Sequence, residues 1–137
     1  MAGRTIRVCP PRDFDFDDLG NGDHQDITVG ERIDCSQYDQ VDVMVRVHTT
    51  ATIPSGGTIE VVLYSDGFTT DDPIQDFFKE IDSVTLDDTL TAAGTFVVDT
   101  FGSELGSMLA VQVRGTQPSP AATMNARLSI DLALKTC

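Results

Sequence analysis

Residues 124–134 read MNARLSIDLAL, and their order decides the fold. Met124, Ala126, Leu128, Ile130, Leu132 and Leu134 occupy every second position, with Asn125, Arg127, Ser129 and Asp131 between them. A repeat of two is the repeat of an extended chain, so this stretch is a strand with one face in a core and the other in water. Burial of its larger apolar members contributes roughly 1.5–3 kcal/mol each, enough to anchor a sheet.

Working outward, VDVMVRVHTT from 41 to 50 repeats the pattern, with Val41, Val43, Val45 and Val47 set against Asp42, Met44, Arg46 and His48. IPSGGTIEVVLYSDG, from 53, then supplies a glycine turn and a second run. These read as two antiparallel strands joined at Pro54–Gly57. Ile59, Val61 and Leu63 alternate with Glu60, Val62 and Tyr64, so both faces of that run are partly covered. Further strands are expected at Thr5–Cys9, Asp26–Ile33, Val84–Leu86, Thr95–Asp99 and Met108–Arg114. About eight short strands separated by turns predict an all-β fold, an antiparallel sandwich or jelly roll. DDPIQDFFKEID, residues 71–82, carries a cap at Asp72 and a tolerated Pro73, and the spacing of Ile74, Phe77, Phe78 and Ile81 predicts a short helical turn leading into a strand. TQPSPAA, 116–122, reads as a loop between the last two strands.

RDFDFDDLGNGDHQD, residues 12–26, concentrates six acids, two Phe and two Gly. A calcium loop counted from Asp13 would need Gly at the sixth place and Glu at the twelfth, where Asp18 and His24 stand. Phe14 and Phe16 alternate with Asp13, Asp15 and Asp17, the pattern of an extended arm that lays an apolar edge on a neighbour. The expected organisation is therefore an extended N-terminal arm with a first edge strand over residues 1–26 and a sandwich domain over 27–137.

At 137 residues the chain makes one domain, and its 40% hydrophobic content is that of a globular core. Twenty-two acids against nine bases give −13, and eighteen of the acids are Asp. Such a surface is a poor partner for nucleic acid, which needs clustered Lys and Arg. No apolar run approaches the ~20 residues of a membrane-spanning helix, and Pro10, Pro11 and the Asp run stand where a secretory signal would be apolar. The charge is uneven: residues 105–137 hold three bases and one acid, opposite in sign to the rest. Cys9, Cys35 and Cys137 have no zinc-ligand spacing. His24 and His48 have no nucleophile beside them, and GSELGS at 102–107 lacks the G-x-S-x-G elbow. Adjacent pairs such as Asp71–Asp72 and Asp87–Asp88 suit turns better than opposed acids across a sugar. The expectation is a non-enzymatic chain with no cofactor and no metal.

The strand, glycine turn and strand of VDVMVRVHTTATIPSGGTIEVVLYSDG, followed by SMLAVQVRGTQPSPAATMNARLSIDLALK, resembles small β-sandwich structural proteins of tailed phages and phage-like particles. The likeness runs from about Ile33 to Leu134, roughly three quarters of the chain, and departs at 10–26 and 73–81. It implies a head-decoration, cement or tail-accessory protein of the virion, assembled in the host cytoplasm, often a homo-oligomer, with capsid or tail subunits as partners. On that reading Phe14, Phe16 and Leu19 of the arm, with Arg127 and Lys135 meeting Asp-rich loops of a neighbour, are the expected contact residues. The alternative is a carbohydrate- or surface-binding sandwich using Tyr38, Tyr64 and the Asp-rich loops, although a chain without Trp is short of flat aromatic platforms.

Overall fold

The computed structural model describes residues 3–65, 79–102 and 105–136. Among them there is no helix, and eight strands run in order: β1 (Gly3–Asp15), β2 (His24–Asp34), β3 (Gln40–Val47), β4 (Thr58–Ser65), β5 (Lys79–Leu86), β6 (Phe96–Phe101), β7 (Met108–Thr116) and β8 (Asn125–Lys135). They form two antiparallel four-stranded sheets, β1-β8-β3-β6 and β2-β7-β4-β5. The chain changes sheet at almost every connection, and only β4 and β5 are sequential neighbours within one sheet, which is the strand order of a jelly roll.

The alternating residues of β3, β7 and β8 meet between the layers as read from the sequence. Val41, Val43, Val45, Leu109, Val111, Val113, Leu128, Leu132 and Leu134 are all buried. β8 lies between β1 and β3, so its apolar face contacts neighbours on both sides as well as the opposite sheet.

Two expectations require correction. The stretch expected as an arm is instead a strand of the sandwich, at the edge of the first sheet where a first edge strand was expected: β1 pairs with β8 from Gly3↔Lys135 to Asp15↔Asn125, shifting register twice around Pro10 and Pro11. Phe14 and Phe16 are each 1% exposed. Their alternation with Asp is that of a half-buried strand, and what admits Phe16 is Gly115 of β7, where a Cβ would stand 2.3 Å from the ring. Second, the turn at Pro54–Gly57 is present, with the Gly57 amide donating to Pro54 O at 2.9 Å, but β3 and β4 lie in different sheets. The link between them crosses the sandwich, burying Ala51 and Ile53 on the way and bridging Thr52 to Asn125. The loop expected at 116–122 does lie between the last two strands, β7 and β8, which belong to opposite layers. Of the segment 71–82, where a short helical turn leading into a strand is expected, residues 71–78 lie outside the described ones, and a strand begins at Lys79.

The acid-rich stretch after β1 is a strapped loop. Asp15 accepts the Asp17 amide at 2.9 Å, Asp17 accepts the Met124 amide at 2.7 Å, and Asn21 accepts the Ala121 amide at 2.7 Å. Gln117, 2% exposed, closes the strap: its side-chain amide donates to Phe16 O and Ala122 O and accepts from the Ala122 amide. Two loops a hundred residues apart are thereby satisfied without water.

Candidate functional site

With the core closed, function has to lie on the two outer faces, the rims and the edges. On the outer face of the first sheet, residues paired across strands form rows. One row runs Arg7–Asp131–Met44–Val98, the next Thr5–Ala133–Asp42–Thr100. Polar members are tied to each other. Arg7 grips Asp131 through two bonds of 3.0 and 3.2 Å, Lys135 reaches Asp42 at 2.5 Å, and Thr100 donates to the same carboxylate at 2.8 Å. The Lys135 ammonium, ahead of the smaller effect of Thr100, holds the Asp42 carboxyl below the usual carboxylate range.

That lattice stops at β6. Among the described residues, Phe96 and Val98 are the exposed large hydrophobic side chains, 47% and 49% accessible, with Met44 half-buried beside them. The Arg46 guanidinium sits 4.6 Å from the Phe96 ring centroid, a cation stacked on the aromatic face. β6 is also an edge strand, with no strand partner on its outer side among the described residues. An apolar, unpaired edge on a chain of net charge −13 is the feature of this surface that solubility alone does not account for.

The outer face of the second sheet is organised differently. Arg114 on β7 binds Asp26 of β2 at 2.7 Å, Glu80 of β5 at 3.2 Å and the Tyr64 hydroxyl of β4 at 3.1 Å, tying four strands together. The Asp26 hydrogen bond raises the guanidinium pKa above its ordinary value, and burial raises that of the Tyr64 phenol. This hub is a clamp, with its donors directed at side chains of the chain itself. A groove of about 300 Å³ lies beside it, lined by Thr28, Tyr64 and Gln112 among others, and a second of about 470 Å³ runs between β1 and β2 past Arg4, Ile6, Arg7 and Arg32.

The residues expected to touch a partner are brought to different places. Phe14 and Phe16 are in the core, so they are corrected from contact to packing residues. Leu19 packs half-buried against the same core. Arg127 pairs with Asp13 at 3.3 Å and Lys135 with Asp42, so both have a carboxylate partner within the chain. Tyr38 and Tyr64, the aromatics of the sugar-binding alternative, are half-buried, the first against the core and the second under Arg114. Asp13 and Asp26 of the acidic stretch are likewise ion-paired, and no group of three His, Cys, Asp or Glu among the described residues is placed to hold a metal ion.

Phe96, Val98 and Arg46 were not among the expected contacts, although a signal was there. Phe96, Val97 and Val98 are three consecutive apolar residues in one strand, and a period of two must turn some of them away from the core. Val97 packs inward; its two neighbours face out. No protein-family model matches the chain, and no curated protein does either.

Proposed function

We propose that this chain is a non-enzymatic structural protein of a phage or phage-like particle, a decoration, cement or tail-accessory subunit that binds capsid or tail proteins through the edges of its sandwich. The observation that carries the reading is the β6 edge, where Phe96 and Val98 stand exposed on a strand that has no neighbouring strand on its outer side among the described residues. Edges of this kind bind protein by strand addition or by flat apolar contact, with backbone hydrogen bonds for affinity and side chains for register. The strand and loop pattern that resembles phage sandwich proteins supports the same role. Phe14 and Phe16 have no part in docking on this account, since they are spent on the core. The protein would reside on the particle, assembled in the host cytoplasm.

The test is to band particles from a producing lysate on a density gradient and probe the fractions and grids with antiserum to this chain. Co-migration with the major capsid or tail protein, with gold label at regular positions, is the expected result. A chain that stays at the top of the gradient while capsid and tail proteins band below would overturn the assignment.

A further inference from the structure

We propose that copies of this chain join head to tail, the β6 edge of one pairing with the Gly3–Arg7 segment of β1 on the next. The inference deepens the assembly role above and rests on it for its use.

Strand direction is the first support. Each sheet holds four strands, all antiparallel to their neighbours, so its two edges run in opposite directions. A second copy placed beside the first therefore brings its β1 antiparallel to β6, and its β2 antiparallel to β5, continuing both sheets without reversing either.

Charge is the second support, and it selects the partner. Residues opposite each other in a ladder share a face. Asp99 on β6 is opposite the buried Val43, so it is a carboxylate on the core face of an edge strand; it is exposed, and one of its oxygens accepts the Thr100 amide at 3.0 Å. Asp82 on β5 is opposite the buried Leu63 in the same way. At the far edge, Arg4 on β1 is opposite the buried Leu134 and is also exposed. An inward-pointing charge is a device that keeps an edge from pairing with its own kind. Two β6 edges would set Asp99 against Asp99, and two β1 edges would set Arg4 against Arg4. Unlike edges set the carboxylate against the guanidinium.

The register agrees. One core-face row runs Arg4–Leu134–Val41–Phe101 and the next Ile6–Leu132–Val43–Asp99. A copy docked without axial shift puts its Ile6 beside Asp99 and its Arg4 on the diagonal, roughly 7–8 Å away between backbones and within reach of a long side chain. A slip of two residues puts them directly opposite. On the outer face the next copy's Arg7 falls beside Val98, where its methylene stem covers apolar surface. Pro10, Pro11 and the bulges after Arg7 confine pairing to the first residues of β1, about the length of β6. Glu31, Arg32 and Asp34 line the same end of the β1–β2 groove; Asp34 is already held by the Ser36 amide and hydroxyl. Head-to-tail contacts of this type close into rings or run on as filaments, depending on the rotation per copy.

Sedimentation velocity on the full chain across a concentration series tests this, with Arg4→Asp, Asp99→Arg, the double variant and an equimolar mixture of the two singles. Oligomers are expected for the unsubstituted chain, association weaker by at least about tenfold for each single, and recovery in both the double variant and the mixture. Cooperative melting checks that each single is folded, and Arg4→Glu with Asp99→Lys replaces any that is not. Loss on Asp99→Arg but not on Arg4→Asp would overturn the proposal in favour of a β6-to-β6 dimer. A chain that is monomeric throughout would also overturn it. A monomer that still bands with particles leaves the particle assignment standing; a head-to-tail oligomer that never labels particles does the reverse.

Discussion

β1 and β6 are the two edges of one sheet, and they are built on opposite plans. β1 is thirteen residues long, interrupted by Pro10, Pro11 and two register shifts, and turns Val8, Cys9 and Phe14 into the core. β6 has six residues, no proline and no shift against β3, and leaves Phe96 and Val98 in solvent. Prolines and bulges blunt an edge, and their absence leaves it able to pair. The sequence features that advertise contact, alternating Phe and Asp, belong to the part of β1 beyond the prolines, where the side chains are sealed into the core. The edge that is open advertises itself only as a short apolar run.

This contrast yields measurements that would break it or sharpen it. Phe16→Ala should cost about 3–5 kcal/mol in urea unfolding, because it empties the hollow over Gly115. A cost no larger than that of Phe96→Ala would break the contrast outright. Gly115→Ala should cost about 1–3 kcal/mol from the opposite direction, by forcing a methyl into the Phe16 ring, and should be partly relieved in the Phe16→Ala background. Acid unfolding sharpens the picture on the outer face. The Asp42 carboxyl is held below its ordinary 3.8, so its contribution is present above that value and lost as pH falls through its folded pKa. Asp42→Asn should therefore flatten the acid limb below about pH 4 and leave neutral pH as its point of largest loss. Smallest of all, Phe96→Ser and Val98→Thr should shift stability by no more than about 0.5 kcal/mol, while reducing any association measured at the β6 edge.

The strands were legible because alternation reports which face is buried, and Val41–Val47, Met108–Arg114 and Met124–Leu134 carry it without interruption. Alternation does not report which strand lies alongside. Phe14 and Phe16 read equally as an arm and as a core strand, since the deciding facts are β8 and Gly115, over a hundred residues away in the case of β8. Pro54–Gly57 has the chemistry of a turn and makes one, but turn chemistry is silent on whether the next strand joins the same sheet or the facing one. The same limit hid the site. Arg127 and Lys135 looked available because their carboxylates, Asp13 and Asp42, come from distant segments, and nothing local marks β6, which carries Phe96 and Val98, as an edge.

The pairing of β1 with β8 sets when this molecule comes into being. Arg7 and Asp131 are separated by 124 positions, and the strand that fills the middle of the first sheet is the last of the eight to be synthesised. Until β8 has left the ribosome, β1 and β3 have no common neighbour and Phe14 has no wall to rest on, so folding waits for translation of the whole sandwich. Loop closures of that span are slow to form. The nascent chain must therefore be kept apart from its siblings while its unpaired strands are still naked, a task for which its surplus of aspartates is well suited.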